Sequence, residues 1–168
     1  SFRQLRNLDV EMSLALKCSM IDWDLSLVDA PSLIRDKCFY SYHSEEKTFS
    51  EDLKKLRGER RPIKWSPLLT RFSDVEAGHA WVMESPKTRA FLPRSSDGRW
   101  SWYRSYMKNK MMINFFREGK GSSADQPPLL EWMANRETHQ RFAAVIGAPI
   151  KHSWSPIFHR DFFEDLDM

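Results

Sequence analysis

The chain has 168 residues, of which 41% are hydrophobic and 13% aromatic, and its formal net charge at neutral pH is +3. This composition can fill the core of an ordinary domain, so it excludes an intrinsically disordered chain. Because the 26 basic and 23 acidic residues are interspersed, the charge does not favour nucleic acid as a partner, and no apolar stretch approaches the roughly 20 residues of a membrane span.

Hydrophobic spacing predicts strands and helices that alternate along the chain. In chain order, the predicted strands cover residues 19–25, 37–43, 61–65, 89–93 and 111–116. The predicted helices cover residues 8–16, 48–56, 73–84, 102–109 and 129–136, and capping-box sequences begin the second and third of them at Thr48 and Ser73. Such alternation is typical of parallel strands joined by crossover helices, so we predict an α/β fold.

Two segments depart from this alternation. Residues 118–128 (EGKGSSADQPP) are rich in small and turn-forming residues, which fits either a flexible linker or an ordered binding loop. The polar residues 137–141 (ETHQR) mark a candidate domain boundary, and an apolar, strand-like run follows them. A loop with two hydroxyls, Ser153 and Ser155, then leads into a helix start, which predicts a small-molecule site at the end of that strand.

Lys64 and His43 are the candidate catalytic residues of the central part of the chain. Lys64 lies inside a predicted strand, where desolvation lowers the pKa of a lysine and frees a neutral nucleophile. The alternative is a lysine at a sheet edge whose charged end reaches solvent. His43 ends the preceding strand, and parallel α/β folds collect active-site groups at that end, although a structural, hydrogen-bonded histidine fits the same position.

The stretches MIDWDL (20–25), SYHSEEKTFSEDL (41–53) and PIKWSPLLTRFSDV (62–75) resemble successive segments of type I 3-dehydroquinate dehydratases, the Schiff-base lyases of the shikimate pathway. The resemblance implies that Lys64 forms the imine and that His43 is the general acid and base. INFFREGKGSSADQP (113–127) is similar to the last strand of that family and to the loop that closes over substrate. It implies that Ser122 and Gln126 contact substrate, with Ala124-Asp125 replacing the usual Pro-Gly.

The same resemblance implies an arginine that holds the substrate carboxylate. Arg104 is the nearest match, and Arg94 and Arg99 are the alternatives. Arg3 matches an arginine that reaches substrate from the strand near residue 2, and Asp24 stands where the family has a substrate-binding glutamate.

A second resemblance concerns the C-terminal stretch VIGAPIKHSWSPIFH (145–159), which is similar to the N-terminal signature of shikimate dehydrogenases. It implies that Ser153 and Ser155 bind the carboxylate of shikimate. NADP is then the implied cofactor, bound by sequence beyond Met168, since the chain has no G-x-G-x-x-G fingerprint.

Together the resemblances predict the fold class and the domains. Residues 1–136 are expected to form the C-terminal six βα units of a TIM-type (β/α)8 barrel, whose first two units are missing. Residues 137–141 are the linker, and residues 142–168 are the first strand and helix of a shikimate dehydrogenase substrate domain. We therefore expect a fragment of a fused enzyme or a degenerate remnant, in which the rest of the polypeptide or a second chain completes the barrel.

The expected activity is the dehydration of 3-dehydroquinate to 3-dehydroshikimate through a lysine imine, without a cofactor. No metal is expected, because the five histidines are scattered and Cys18 and Cys38 lack zinc spacing. The alternatives are an NADP-dependent shikimate dehydrogenase as the main activity and a non-enzymatic remnant. Two cysteines are too few for a disulfide framework, so we expect a cytoplasmic protein. We also expect small-molecule substrates and neither nucleic-acid nor membrane partners.

Overall fold

The computed structural model of the chain describes residues 17–27, 29–134 and 154. The chain divides into two units, Ser1–Met133 and Ala134–Met168, and nearly all of the described residues belong to the first. The predicted helix over residues 8–16, the strand near residue 2 and the linker over residues 137–141 lie outside the described residues. So does the dehydrogenase-like segment, apart from Trp154.

The described part contains a sheet of four parallel strands: β1 (Ile21–Asp24), β2 (Cys38–Ser44), β3 (Ile63–Pro67) and β4 (Arg89–Phe91). Their order in the sheet is their order in the chain, so each strand lies beside the next one along the sequence. This arrangement confirms the predicted α/β fold with a parallel sheet, and it is the order that adjacent βα units of a barrel have.

An α-helix follows each of β2, β3 and β4 as the alternation predicts, whereas β1 and β2 are joined through a 3₁₀ turn. The helices are α1 (Phe49–Arg57), α2 (Phe72–Met83), α3 (Ser101–Tyr106) and α4 (Leu129–Ala134), and 3₁₀ turns cover Arg35–Lys37 and Glu46–Thr48. Among the described residues, no helix has both the length and the apolar character needed to cross a membrane.

The predicted capping boxes are wrong in detail. Thr48 is the N-cap residue of α1, but it ends a 3₁₀ turn, and its hydroxyl donates to the Glu45 carbonyl at 3.0 Å and to Asp52 Oδ2 at 2.6 Å. It therefore caps no backbone N–H of the helix. Helix α2 begins at Phe72, one residue before Ser73, and its N-cap Arg71 makes no side-chain cap either.

The predicted strand over residues 111–116 is also wrong, because this segment forms no strand in the structure. The Met112 N–H donates to the Arg89 carbonyl of β4 at 3.4 Å. The Asn114 side chain competes with further pairing, since Oδ1 accepts the Phe115 N–H at 2.8 Å while Nδ2 donates to the Arg104 carbonyl at 2.8 Å. The described residues thus contain four of the six predicted strands, and the six βα units stay a prediction.

The core lies between the helices and one face of the sheet. Trp65 of β3 is fully buried there and contacts Phe49 of α1, Trp81 of α2 and Phe91 of β4 with ring centroids 4.9–5.5 Å apart. Its indole N–H donates to Ser44 Oγ at 2.9 Å, which satisfies the buried polar atom. Because side chains alternate along a strand, the neighbours of Trp65 point to the opposite face, and Lys64 is one of them.

Candidate active site

The face of the sheet opposite to the Trp65 core carries ionisable and polar side chains. The register pairs Asp24 with Ser41 and Ser41 with Lys64, so these residues share one face. Asp22 and His43 lie two residues away from Asp24 and Ser41 on their strands and therefore lie on the same face. Polar groups from three adjacent strands are thereby brought together.

Lys64 is the most buried charged group of this face, with 7% of its surface exposed. Its Nζ forms an ion pair and a hydrogen bond with Asp22 Oδ2. The aromatic rings of Phe39 and Phe115 flank the amine, with centroids 5.6 and 5.4 Å from Nζ. Since β3 lies between β2 and β4, the structure does not support the alternative of a lysine at a sheet edge that reaches solvent.

His43 lies near the C-terminal end of β2, and its side chain is exposed. The surrounding protein still desolvates the imidazole, which lowers the pKa of His43 below its ordinary value, and the positive charges of Lys64 and Arg94 lower it further. The carboxylates of Asp22 and Asp24 act in the opposite direction. The net direction favours a neutral imidazole, which is the form that accepts a proton.

The three candidate arginines differ in their surroundings. Arg94 donates from Nε to the Ser66 carbonyl at 3.0 Å and from Nη2 to the Ser44 carbonyl at 3.3 Å, so it lies at the ends of β2 and β3, where its charge acts on His43. Arg99 is exposed and is held by Asp97, with Nη2 and Oδ2 2.8 Å apart.

Arg104 of α3 is 3% exposed and donates from Nη2 to the Pro93 carbonyl at 3.2 Å. Its buried Nε has no hydrogen-bond partner. Burial lowers the pKa of Arg104 to about 10, with the Asp125 carboxylate opposing and the Arg94 charge adding to that effect. A buried guanidinium with a free donor is suited to an anionic ligand group.

Residues 118–128 form an anchored loop in the structure, which answers the question of linker or loop that the sequence left open. Arg117 closes its base by donating from its backbone N–H to the Pro127 carbonyl and from Nε to the Gln126 carbonyl, both at 2.9 Å. Gln126 Oε1 accepts the Ser122 backbone N–H at 2.9 Å and the Ser122 hydroxyl at 3.3 Å. Ser122 and Gln126 thus contact each other within the loop.

Two acidic residues of this region were not found from the sequence. Asp22 was missed although the alternation in IDWD places it on the face of Asp24. Asp125 is fully buried, and its carboxylate accepts the backbone N–H groups of Ser95 at 2.6 Å and Trp100 at 2.9 Å. No local signal predicts the role of Asp125, because its partners lie 25 to 30 residues earlier in the chain.

The remaining predicted site residues are distributed as follows. Asp24 Oδ1 accepts the Ser26 backbone N–H at 2.9 Å and the Ser26 hydroxyl at 2.5 Å. Arg3, Ser153 and Ser155 lie outside the described residues. Within the part of the chain that the structure describes, no group of three or more His, Cys, Asp or Glu side chains is arranged to hold a metal ion.

The fold is similar to that of the type I 3-dehydroquinate dehydratase from Clostridium difficile, whose crystal structure contains covalently modified comenic acid. The TM-score is 0.54 at 18% sequence identity, so the likeness is one of fold. It covers 78% of this chain and 61% of the dehydratase chain, which means that this chain spans less than two thirds of its neighbour's length. No protein-family model and no curated protein matches the sequence.

Proposed function

We propose that this chain carries the active site of a type I 3-dehydroquinate dehydratase, a lyase that converts 3-dehydroquinate to 3-dehydroshikimate through a lysine imine. The observation that carries the proposal is the buried amine of Lys64 on the polar face of the sheet that it shares with His43. The similarity in fold to a dehydratase of this type supports it. An internal, desolvated lysine next to a histidine is the pair of groups that imine chemistry with proton transfer requires.

The proposed reaction begins at the substrate ketone. Lys64 attacks the carbonyl carbon, water leaves, and the resulting iminium withdraws electrons from the adjacent carbon. The neutral imidazole of His43 removes a proton from that carbon, and the electron pair of the C–H bond moves into the iminium. When the neighbouring C–O bond breaks, His43 returns the proton to the departing hydroxyl. Hydrolysis of the imine then releases the product and the amine.

Binding of the substrate carboxylate is assigned to an arginine, either Arg94 at the strand ends or Arg104 of α3. Arg104 has the buried free donor, and Arg94 has the position beside His43, so the two are the candidates that the surroundings favour. We propose that Ser122 and Gln126 of the loop over residues 118–128 contact the ring hydroxyls, and that Asp24 and Arg3 complete the site.

A second activity is proposed on the sequence of residues 142–168 alone. Ser153 and Ser155 in HSWSP would bind the carboxylate of shikimate in a dehydrogenase domain that uses NADP and is fused to the dehydratase. The first two βα units of the barrel would then come from the remaining polypeptide or from a second chain.

Reduction with borohydride tests the dehydratase proposal. We expect that borohydride added with 3-dehydroquinate attaches the reduced substrate to Lys64, because only an imine is trapped in this way. Peptide mass spectrometry locates the adduct. The Lys64→Met variant should carry no adduct, and the Lys54→Met variant, which changes an exposed lysine of α1, should be labelled like the wild type. An adduct at another lysine, or none on the fully assembled wild-type protein, would overturn the proposal.

A further inference from the structure

We infer that Asp22 is the proton acceptor that frees the Lys64 amine for imine formation, an inference that rests on the proposed function. Asp22 lies on β1, and Lys64 lies two strands away on β3. The carboxylate and the amine are nevertheless in direct contact through Oδ2 and Nζ. An amine held against a carboxylate carries a proton, and an ammonium ion has no electron pair with which to attack a ketone.

The two partners differ in their access to solvent. The Lys64 side chain is 9% exposed, whereas 37% of the Asp22 side chain is exposed. Phe39 and Phe115 shield the amine, with centroids 5.6 and 5.4 Å from Nζ. A proton that moves from Nζ to Asp22 therefore passes from a shielded group to one that exchanges protons with water. No other acid or base is in direct hydrogen-bond contact with Nζ among the interactions of the described residues.

Asp24 and His43 are less suited to this role. Asp24 Oδ1 already accepts the Ser26 N–H and hydroxyl, at 2.9 and 2.5 Å. The charge of Lys64 lowers the pKa of His43, and the proposed reaction needs the neutral His43 imidazole for the proton on carbon. The direct contact with Nζ belongs to Asp22.

The step balances without any further reactant. Asp22 takes one proton from the ammonium of Lys64, and the neutral amine attacks the ketone carbon, so that the C–N bond forms and the C–O π electrons move to oxygen. A second proton passes from nitrogen to that oxygen and gives the carbinolamine. The protonated Asp22 then donates its proton to the carbinolamine hydroxyl, which leaves as water. The net change converts an ammonium and a ketone into an iminium and water, with Asp22 again a carboxylate.

The Asp22→Asn change in the full chain tests this inference. Samples mixed with 3-dehydroquinate are quenched with borohydride at successive times, and mass spectrometry follows the adduct at Lys64. We expect imine formation to slow by roughly 10²- to 10⁴-fold, which is the usual contribution of a positioned acid or base. Asp22→Glu keeps a carboxylate and should restore part of the rate. The control is Asp29→Asn, which changes an exposed carboxylate that pairs with Arg61 at 3.1 Å and should leave the rate unchanged.

A chemical rescue separates proton transfer from a merely structural contribution. In Asp22→Ala, added formate should increase the rate of trapping as its concentration rises, because a small carboxylate replaces the missing acceptor. An Asp22→Asn chain that is trapped as fast as the wild type, or an Asp22→Ala chain that does not respond to formate, would overturn the role of Asp22. Either result leaves Lys64 as the imine residue, whereas a fully assembled wild-type protein that is never labelled overturns the proposed function itself.

Discussion

Two pairs of opposite charges surround His43. Lys64 and Arg94 lower the pKa of the imidazole in addition to its desolvation, and Asp22 and Asp24 raise it. Arg94 is the positive charge of this set that can be removed while the Lys64–Asp22 ion pair stays intact. It therefore offers a way to change the proton affinity of His43 while leaving the nucleophile and its acceptor in place.

We expect the Arg94→Gln change to raise the pKa of His43, because it removes a positive charge that disfavours the imidazolium. A general base works in its neutral form, so activity declines as the pH falls through its pKa. In the wild type the acid limb of kcat/KM should lie below pH 6.5, the ordinary value for histidine, and Arg94→Gln should move it to higher pH. NMR titration of the imidazole measures the same shift.

The matched control for this titration is Arg99→Gln, since Arg99 is exposed and held by Asp97. It should leave the titration of His43 unchanged. An unchanged titration in Arg94→Gln, or an equal shift in both variants, would show that Arg94 does not set the proton affinity of His43.

The residues of the site were accessible from the sequence to different degrees. Lys64 stands out because a lysine inside an apolar strand is unusual, and His43 stands out because it ends a strand, where parallel α/β folds collect active-site groups. The choice among the arginines was not accessible, because Arg104 and Arg94 differ through burial and through carbonyl groups that only the fold supplies. The contact between Asp22 and Lys64 spans 42 residues and depends on the strand order.

Among the elements, α2 lies unusually close to β4 at Gly78. A Cβ atom at this position would be 2.1 Å from Cζ of the Phe91 ring, so glycine allows the helix to contact the ring directly. Phe91 in turn contacts Trp65 and Tyr103, with centroids 5.4 and 5.6 Å apart respectively. The position of α2 on the sheet therefore depends on one missing methyl group.

We expect Gly78→Ala to lower the free energy of unfolding by about 1 to 3 kcal/mol, the usual cost of overpacking a core. Alanine is favoured over glycine in a helix by about 1 kcal/mol, so a purely local effect would have the opposite sign. Gly58→Ala is the control, because its Cβ would lie an ordinary 3.6 Å from the nearest atom, the Lys55 carbonyl oxygen. Urea denaturation compares the variants, and a Gly78→Ala chain at least as stable as Gly58→Ala would contradict the packing argument.

The sequence predicted whether a strand or helix exists more readily than it predicted where that element begins and ends. The apolar and aromatic runs around Ile21, Tyr40, Ile63 and Ala90 predicted strands that the structure confirms, because such runs are buried in a parallel sheet. The segment over residues 111–116 has the same composition, yet the Asn114 side chain, which bonds to the Arg104 carbonyl, takes the Phe115 N–H that a ladder would use. That outcome depends on a partner in α3, which periodicity does not contain.

At the scale of the described molecule, the loop over residues 118–128 is joined to the segment that follows β4. The fully buried Asp125 accepts the N–H and the hydroxyl of Ser95 at 2.6 and 2.7 Å and the N–H of Trp100 at 2.9 Å. Gly98 has a φ of 79°, and a Cβ there would lie 2.9 Å from the Ala124 carbonyl oxygen. This close contact explains how a sequence that also fits a linker forms an ordered loop.

We expect Asp125→Ala to release this loop from the segment after β4, because it removes the acceptor of the buried Trp100 N–H and of the half-buried Ser95 N–H and hydroxyl. An unsatisfied buried donor costs about 1 to 3 kcal/mol. Hydrogen–deuterium exchange should accelerate at the Trp100 amide and across residues 118–128, while the amides of β2 and β3 keep their protection. Since Ser122 and Gln126 lie on this loop, KM for 3-dehydroquinate should rise while borohydride still labels Lys64.

Asp97→Ala is the control, because Asp97 is exposed and its partner Arg99 lies only two residues away. Equal acceleration in both variants, or unchanged exchange in Asp125→Ala, would show that the loop is held by its own contacts and that Asp125 is not its anchor.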